Sequence, residues 1–310
     1  MTELHESVEA LDRELGDQVR ADVALGPLTT YRVGGAARRF ATVDDDAALE
    51  RVAEVVRRHP IPVLVVGKGS NLLVADDGFP GLAIQLGAGF AGIDVTGTTV
   101  RAGGAASLPV VARRTAAAGL TGFEWAVGVP GSIGGAVRMN AGGHGSDMAA
   151  SLVRVRVVDL HGDDTGVVTA DRLALQYRSS AIAADHVVSW AELELAVGDQ
   201  TEAEAEISEI VRWRRANQPG GQNAGSVFTN PSGDSAGRLI DAAGCKGLRI
   251  GTAEVSPKHA NFIQADEGGL AADVWSVMVE VRRRVHAHSG VILHPETRMV
   301  GLPPLPEPGA

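Results

Sequence analysis

Two glycine-rich stretches and one serine carry the pattern in this chain that could do chemistry. The first stretch, Val66-Gly67-Lys68-Gly69-Ser70-Asn71-Leu72-Leu73-Val74, follows the apolar run Ile61 to Val66. The second, Gly128-Val129-Pro130-Gly131-Ser132-Ile133-Gly134-Gly135-Ala136, continues to Met139-Asn140-Ala141-Gly142-Gly143 and holds six glycines in sixteen residues. Glycine lacks a Cβ and tolerates positive φ, so both stretches let a backbone approach a phosphate closely. Consecutive N–H groups in such turns form anion-binding concavities. Ser226 stands apart, in Ala224-Gly225-Ser226-Val227-Phe228-Thr229-Asn230-Pro231. Together these features suggest a bound dinucleotide facing a serine that does proton chemistry.

Each motif alone has an ordinary reading. Gly67 to Asn71 follows a strand, as a nucleotide loop should, but Leu72 stands where the Rossmann fingerprint needs its third glycine. The spacing is not that of a P-loop either, so a plain strand-to-helix turn stays open. The second stretch has more glycine than turn chemistry needs, which favours a ligand-cradling loop. Tyr177-Arg178-Ser179-Ser180 reads as a helix end, where an arginine complements the dipole. Ser226 fits a turn equally well. Glu296, in Leu293-His294-Pro295-Glu296-Thr297-Arg298, sits in an apolar strand where a carboxylate needs a partner or a task. Lys258-His259-Ala260-Asn261-Phe262 sets a cation, an imidazole and an amide before a strand. Arg282-Arg283-Arg284 reads as a solvated face near a helix C-terminus. His144 has no metal-ligand spacing around it, and no metal site is expected.

The elements that must position these residues follow from periodicity. Leu4, Val8, Leu11 and Leu15 recur at helical spacing, as do Leu49, Val52, Val55 and Val56 within 46–59. Strands are expected at Ile61 to Val66, Leu82 to Leu86, Ile93 to Thr96, Thr98 to Ala102, Leu152 to Leu160 and Val187 to Leu195. Ser107-Leu108-Pro109 reads as a helix start, with a serine cap and a proline in the first turn. A charged helix over 201–216 ends at Asn217-Gln218-Pro219-Gly220-Gly221, a linker signal. Beyond it the pattern predicts a helix at 235–243, strands near 248–255 and 260–265, a helix at 271–287 and a strand at 291–300. The proline-rich tail, 303–310, is expected to fray.

Composition limits the choices. With 310 residues there is room for two or three domains. A formal net charge of −10 argues against general affinity for nucleic acid or anionic membrane. An anionic ligand must therefore be held by local groups. One cysteine, Cys245, excludes an internal disulfide and fits a reducing cytosol. The start, Met1-Thr2-Glu3-Leu4-His5-Glu6-Ser7, is not that of a signal peptide, and no apolar run reaches membrane-span length.

The order of the motifs is more specific than any one of them. Gly-x-Gly-Ser-Asn-Leu-Leu, Gly-Val-Pro-Gly-Ser-Ile-Gly-Gly-Ala with Asn-Ala-Gly, Tyr-Arg-x-Ser, Ala-Gly-Ser-Val-Phe-x-Asn-Pro, Lys-His-Ala-Asn-Phe and a late Pro-Glu resemble the UDP-N-acetylenolpyruvoylglucosamine reductase (MurB) family of peptidoglycan synthesis. The opening Leu28-Thr29-Thr30-Tyr31-Arg32-Val33-Gly34-Gly35-Ala36 fits the same family. The resemblance runs from about Leu28 to Gly301. It implies a mixed α/β and α+β chain. An N-terminal two-part FAD-binding region of vanillyl-alcohol-oxidase (PCMH) type would cover 1–85 and 86–200, and a C-terminal α/β substrate domain 201–302.

What the resemblance implies chemically is an NADPH-dependent flavoenzyme of the cytoplasm, serving cell-wall formation, cell shape and division. Reduced FAD would deliver hydride to C3 of a UDP-sugar enolpyruvyl ether, and protonation at C2 would follow. By motif the family's catalytic arginine, serine and glutamate map onto Arg178, Ser226 and Glu296. FAD contacts map onto Gly67, Lys68, Gly69, Ser70, Asn71, Leu72, Gly128, Pro130, Gly131, Ser132, Ile133, Gly134, Asn140, Ala141 and Gly142. Substrate contacts are expected from Arg214, Asn230 and Lys258. The few residues between Ser180 and Val187 match the family's shorter, type II class. Asn217 stands where a basic residue often precedes Gln-Pro, and Arg214, Lys246 or Lys258 could substitute for it. A monomer is the default expectation. Two other readings stay open: another FAD-dependent oxidoreductase or oxidase of the same fold, acting on a small alcohol or sugar, and a non-catalytic nucleotide-binding module.

Overall fold

A computed structural model describes residues 2–308. The chain divides into two compact units, not the three expected domains. The first comprises Met1–Ala21, Arg39–Lys68 and Pro80–Arg214, and the second Asp22–Arg38, Gly69–Phe79 and Arg215–Ala310. The physical reasons are specific. The core around the first two helices also takes in Val158, Leu160 and Val187, so the two expected N-terminal subdomains share one interior. The strand Leu72–Val74 pairs in parallel with Arg298–Val300 near the other end of the chain, which draws the segment after Lys68 into the second unit.

In the first unit, α1 (Thr2–Leu15) and α2 (Asp46–Arg58) form as their spacing predicts. The Asp45 carboxylate accepts the Ala48 N–H at 2.7 Å and caps α2. Leu49, Val52, Ala53, Val55 and Val56 are buried, and Pro60 follows the helix end. The associated sheet runs in the order Val19–Ala24, Ala36–Val43, Phe79–Leu86, Val63–Val65. Its first two strands were not legible as periodic runs, and the strand expected at Ile61 to Val66 is confined to Val63–Val65. A second sheet is antiparallel throughout, in the order Gly166–Thr169, Leu152–Asp159, His186–Glu194, Thr99–Gly103, Ile93–Thr96. With α3 (Leu108–Ala117), α4 (Ile133–Met139) and α5 (Gln200–Asn217) it encloses a core that includes Trp125, Ile133, Met148 and Ile207.

In the second unit, α6 (Ala236–Ala242) and α7 (Ala271–Ser289) pack against the three-stranded antiparallel sheet Arg249–Ile250, Ala253–Val255, Ile263–Ala265. The Asp76 carboxylate accepts the N–H groups of Ala271 and Ala272 at 2.9 and 3.0 Å. These are orphan donors of the first turn of α7, and a negative charge there also suits the helix dipole. Only Arg298–Val300 of the strand expected over 291–300 forms. The segment before it runs beside another loop.

The tail departs from the expected fraying. Leu305 is buried, and the Trp275 indole donates to the Pro303 carbonyl at 3.0 Å. Arg282 is 4% exposed, so it is not part of a solvated face. Its guanidinium donates to the carbonyls of Leu293 (3.0 Å), Leu305 (3.1 Å) and Pro306, and pairs with Glu307. Arg283 and Arg284 do lie at the surface, paired with Glu280. The last two residues of the tail lie outside the described residues.

A buried carbonyl left without its donor costs about 1–3 kcal/mol. Arg282→Met, which keeps the apolar stem and removes the donors, is therefore expected to destabilise the chain by about 3 kcal/mol. Urea unfolding measures this, and an unchanged midpoint would show that the tail is not held by this side chain.

Candidate active site

The first unit carries the second glycine stretch and Arg178. Val129 and Pro130 lead into Ser132, which caps α4 by accepting the Gly135 N–H at 3.5 Å. A Cβ on Gly67 would come 2.7 Å from Ser132 Oγ. The two stretches therefore meet at Gly67 and Ser132, where any side chain at Gly67 would displace the Ser132 hydroxyl. Pro130 and Lys68 are exposed beside this meeting point. Other glycines have packing reasons. A Cβ on Gly134 would lie 3.2 Å from the carbonyl oxygens of Gly104 and Val188, so Gly134 lets α4 approach the sheet. A Cβ on Gly128 would crowd Ile210, Arg214 and His144 at 3.1–3.2 Å. A Cβ on Gly142 would strike Asp147 and Ser146 at 2.5 Å across the tight Gly142–Gly143 and Ser146–Asp147 pair. Ile133 is a core residue, and Ala141 is held through its backbone to Ala136 and Met148.

Tyr177-Arg178-Ser179-Ser180 is not a helix end. Gln176 and Ser179 exchange both backbone hydrogen bonds at 3.0 Å, so Tyr177 and Arg178 form the tip of a tight turn. Arg178 has φ +57°, a conformation glycine would take more easily. Its guanidinium donates to the Gly142 carbonyl at 2.9 Å and lies 5.1 Å from the Tyr177 ring. Ser180 Oγ donates to the Arg138 carbonyl at 2.7 Å and fixes the far side of the turn.

Three basic residues could stand in for the absent cation at Asn217. Lys246 pairs with Asp241 at 2.7 Å, and Lys258 donates to the Arg215 carbonyl at 2.6 Å. Arg214 makes no ion pair among the described residues, and burial pushes its guanidinium down from its ordinary value. Beside it His144 stands edge-on to Trp213 at 5.2 Å. Burial, and then the Arg214 charge, push the His144 imidazole below its usual value.

The second unit carries Ser226 and Glu296, and backbone pairing brings their segments together. Phe228 bridges to Pro295 in antiparallel fashion. The Glu296 N–H donates to the Val227 carbonyl at 2.8 Å, and the Thr229 N–H to the His294 carbonyl at 2.9 Å. Asn261, 4% exposed, holds the other edge. Its Oδ1 accepts the Phe228 N–H at 3.0 Å, its Nδ2 donates to the Phe228 carbonyl at 2.8 Å, and its own carbonyl accepts the Val227 N–H at 2.9 Å. Ser226, half-buried after the left-handed Gly225, makes no side-chain hydrogen bond to a described residue. Lys-His-Ala-Asn-Phe was the visible signal for Asn261, but nothing in the sequence gave its partner.

Asn71 also belongs to this arrangement. Its Nδ2 donates to the Glu296 carbonyl at 3.0 Å, and its carbonyl accepts the Arg298 N–H at 2.9 Å. Its amide N–H is thus turned to Glu296, and Leu72 starts the strand paired with Arg298. Gly69, at φ +61°, lets Leu28 and Thr29 approach to 2.1 and 2.6 Å of where a Cβ would stand. Next to it Thr30 Oγ1 is buried with no partner, a polar atom the sequence reading missed. Ser70 is half-buried. Asn230 Oδ1 caps the approach to α6 by accepting the Ala236 N–H at 3.0 Å.

Comparison with known proteins agrees with this division. Residues 37–165 match the family model of an FAD-binding domain, and 217–300 that of the C-terminal domain of UDP-N-acetylenolpyruvoylglucosamine reductase. The chain is 43% identical over 282 residues to the reductase of that name from Paramagnetospirillum magneticum, covering 91% of each. It is 41% identical to the Azorhizobium caulinodans reductase, covering 94% of each. The crystal structure of the Thermus caldophilus reductase superposes with a TM-score of 0.79 at 36% identity, covering 91% of this chain and 99% of that one. An FAD-binding domain followed by that C-terminal domain, with such identity across nearly the whole length, means that this chain belongs to the UDP-N-acetylenolpyruvoylglucosamine reductase family.

Proposed function

We propose that this chain reduces UDP-N-acetylglucosamine enolpyruvate to UDP-N-acetylmuramate, using NADPH, in the cytoplasm, for peptidoglycan precursor synthesis. The observation that carries the reading is Ser226, whose hydroxyl has no hydrogen-bond partner among the described residues, in a loop whose next residue, Val227, accepts the Glu296 N–H. An oxidase of an alcohol has no use for a serine that protonates carbon.

The residues present fit FAD. Gly67 lets the first glycine turn close onto Ser132 of the second stretch, with Ser132 Oγ 2.7 Å from where a Cβ would stand, and Lys68 is exposed beside that approach. Lys68, Pro130, Gly131 and Ser132, around this approach, would hold its pyrophosphate. Bound FAD, once reduced by NADPH, supplies the hydride that C3 of the enolpyruvyl group receives.

The chain's own residues manage the charge and the proton. Negative charge builds on the substrate carboxylate as C3 is reduced. Arg178 is permanently cationic and planar, suited to clamping that carboxylate. A preorganised donor of this kind is typically worth about 3–4 kcal/mol. Ser226 Oγ gives its proton to C2, a step in which general acid catalysis usually contributes roughly 10²–10⁴-fold. A hydroxyl is a weak acid, and it suffices because the carbon it protonates is strongly basic. Glu296 holds the carboxylate end of the substrate. Arg214, desolvated and without an ion-pair partner, takes the diphosphate in place of the missing cation at Asn217.

In anaerobic stopped-flow, Ser226→Ala should keep flavin reduction by NADPH and lose roughly 10²-fold or more in flavin reoxidation by substrate. Equal loss in both half-reactions would instead make the serine structural. Gly67→Val should give a folded protein that purifies without the visible flavin band; full flavin content would reject the cradle. Arg214→Gln should raise KM for the UDP-sugar about tenfold or more with kcat little changed, the pattern of lost uniform binding, whereas an unmoved KM would assign the diphosphate to another group.

A further inference from the structure

Asn140 ends α4, in the second glycine stretch. The sequence reading places it against the cofactor, yet the structure engages its side chain elsewhere. It is 2% exposed, and its φ of +39° makes it the left-handed cap of α4. Nδ2 donates to Asp147 Oδ2 at 3.1 Å and to the Gln176 carbonyl at 3.0 Å. Oδ1 accepts the Ala149 N–H at 3.0 Å. Both amide hydrogens and one lone pair are therefore satisfied within the protein.

The bond to Gln176 sits on the peptide just before Tyr177-Arg178. Gln176, Tyr177 and Ser179 are exposed, and both Ala174 and Arg178 have the positive φ that non-glycine residues resist. Such backbone persists only where its surroundings over-determine it. Two residues beyond Asn140, the Gly142 carbonyl accepts the Arg178 guanidinium. The short run Asn140–Gly142 thus grips the turn twice, once by its backbone and once by its charged end.

We propose that Asn140 is a positioning residue that holds Arg178 in place to receive the substrate carboxylate; this rests on the clamp role given to Arg178 above. Asn140 touches neither substrate nor cofactor in this role. It acts through the Gln176 carbonyl. A displacement of about 1 Å in a catalytic group can cost roughly 10²-fold, and the Gln176 carbonyl is the point at which Asn140 reaches the turn.

The test uses the purified holoenzyme. Asn140→Gly keeps the left-handed cap, which glycine adopts freely, and removes the amide. Flavin content and reduction by NADPH should stay within about twofold of the parent, while reoxidation by the enolpyruvyl substrate falls about 10²-fold. Hydrogen exchange over residues 174–180 should quicken even without substrate. In an Arg178→Ala background the same substitution should add less than twofold, because residues acting through one another are not additive. Asn140→Asp with Asp147→Asn restores the 140–147 contact, with donor and acceptor exchanged, and the acceptor for Ala149 N–H, but not the donor to Gln176. It should keep the reoxidation defect, and it serves if the glycine variant does not fold. Loss of flavin, equal slowing of both half-reactions, a full multiplicative loss on top of Arg178→Ala, or parental rates in the exchanged pair would each overturn the positioning role. Parental reoxidation in Arg178→Ala itself would overturn the clamp, and with it this inference.

Discussion

Backbone N–H and C=O groups that are buried in a loop must find partners, and in this chain asparagine side chains supply several of them. Regular structure satisfies such groups automatically, but the residues proposed for chemistry sit where it runs out. Asn261 closes both polar groups of Phe228, Asn71 closes the carbonyl of Glu296, and Asn140 closes that of Gln176. A primary amide suits the task because it offers donor and acceptor together and carries no charge to desolvate. Each of these side chains fixes a backbone group within two residues of a residue given a catalytic role. The low aromatic content, 4%, is consistent with a site built by backbone proximity more than by large side chains.

The glycines serve close approach. Gly67 lets its turn close onto the serine cap of a helix, and Gly134, Gly128 and Gly142 let a helix or hairpin close onto its neighbours. A glycine that makes room for a ligand carries the same signature in sequence. From sequence both kinds look alike, since an absent Cβ records only that something is near. Six glycines within residues 128–143 therefore overstate the ligand contacts of that stretch.

Electrostatics follows a similar economy in a chain of net charge −10. Several arginines at the surface are matched to carboxylates: Arg154 to Glu192, Arg249 to Glu254 and Asp266, Arg283 and Arg284 to Glu280. The paired arginines hold Glu280 well below the usual carboxylate range, at about 2. Exposed pairs of this kind contribute little to stability. Other cations bond to carbonyl oxygens instead, as Arg57 does to Asp159 and Lys258 to Arg215.

By itself the sequence determined the helices α1, α2, α5 and α7, the paired strands at Leu152–Asp159 and His186–Glu194, and the motif order that places the chain in its family. These follow from periodicity and from short contiguous signals, which are local. It could not show that Leu72–Val74 lies beside Arg298–Val300, that Arg282 reaches inward to hold the tail, or that Tyr177-Arg178 is a turn tip and not a helix end. The first two depend on partners between about 10 and 230 residues away, and the turn, closed locally, is anchored by Arg138 and Gly142 about 40 residues back; single-chain patterning carries no information about which distant carbonyl a donor meets. The three candidate catalytic residues could be named from their motifs. Only the tertiary structure decided that Ser226 and Glu296 lie on paired backbone, and that Asn140 faces Gln176, because hydrogen-bond partners across a fold are chosen by packing, not by neighbours in sequence.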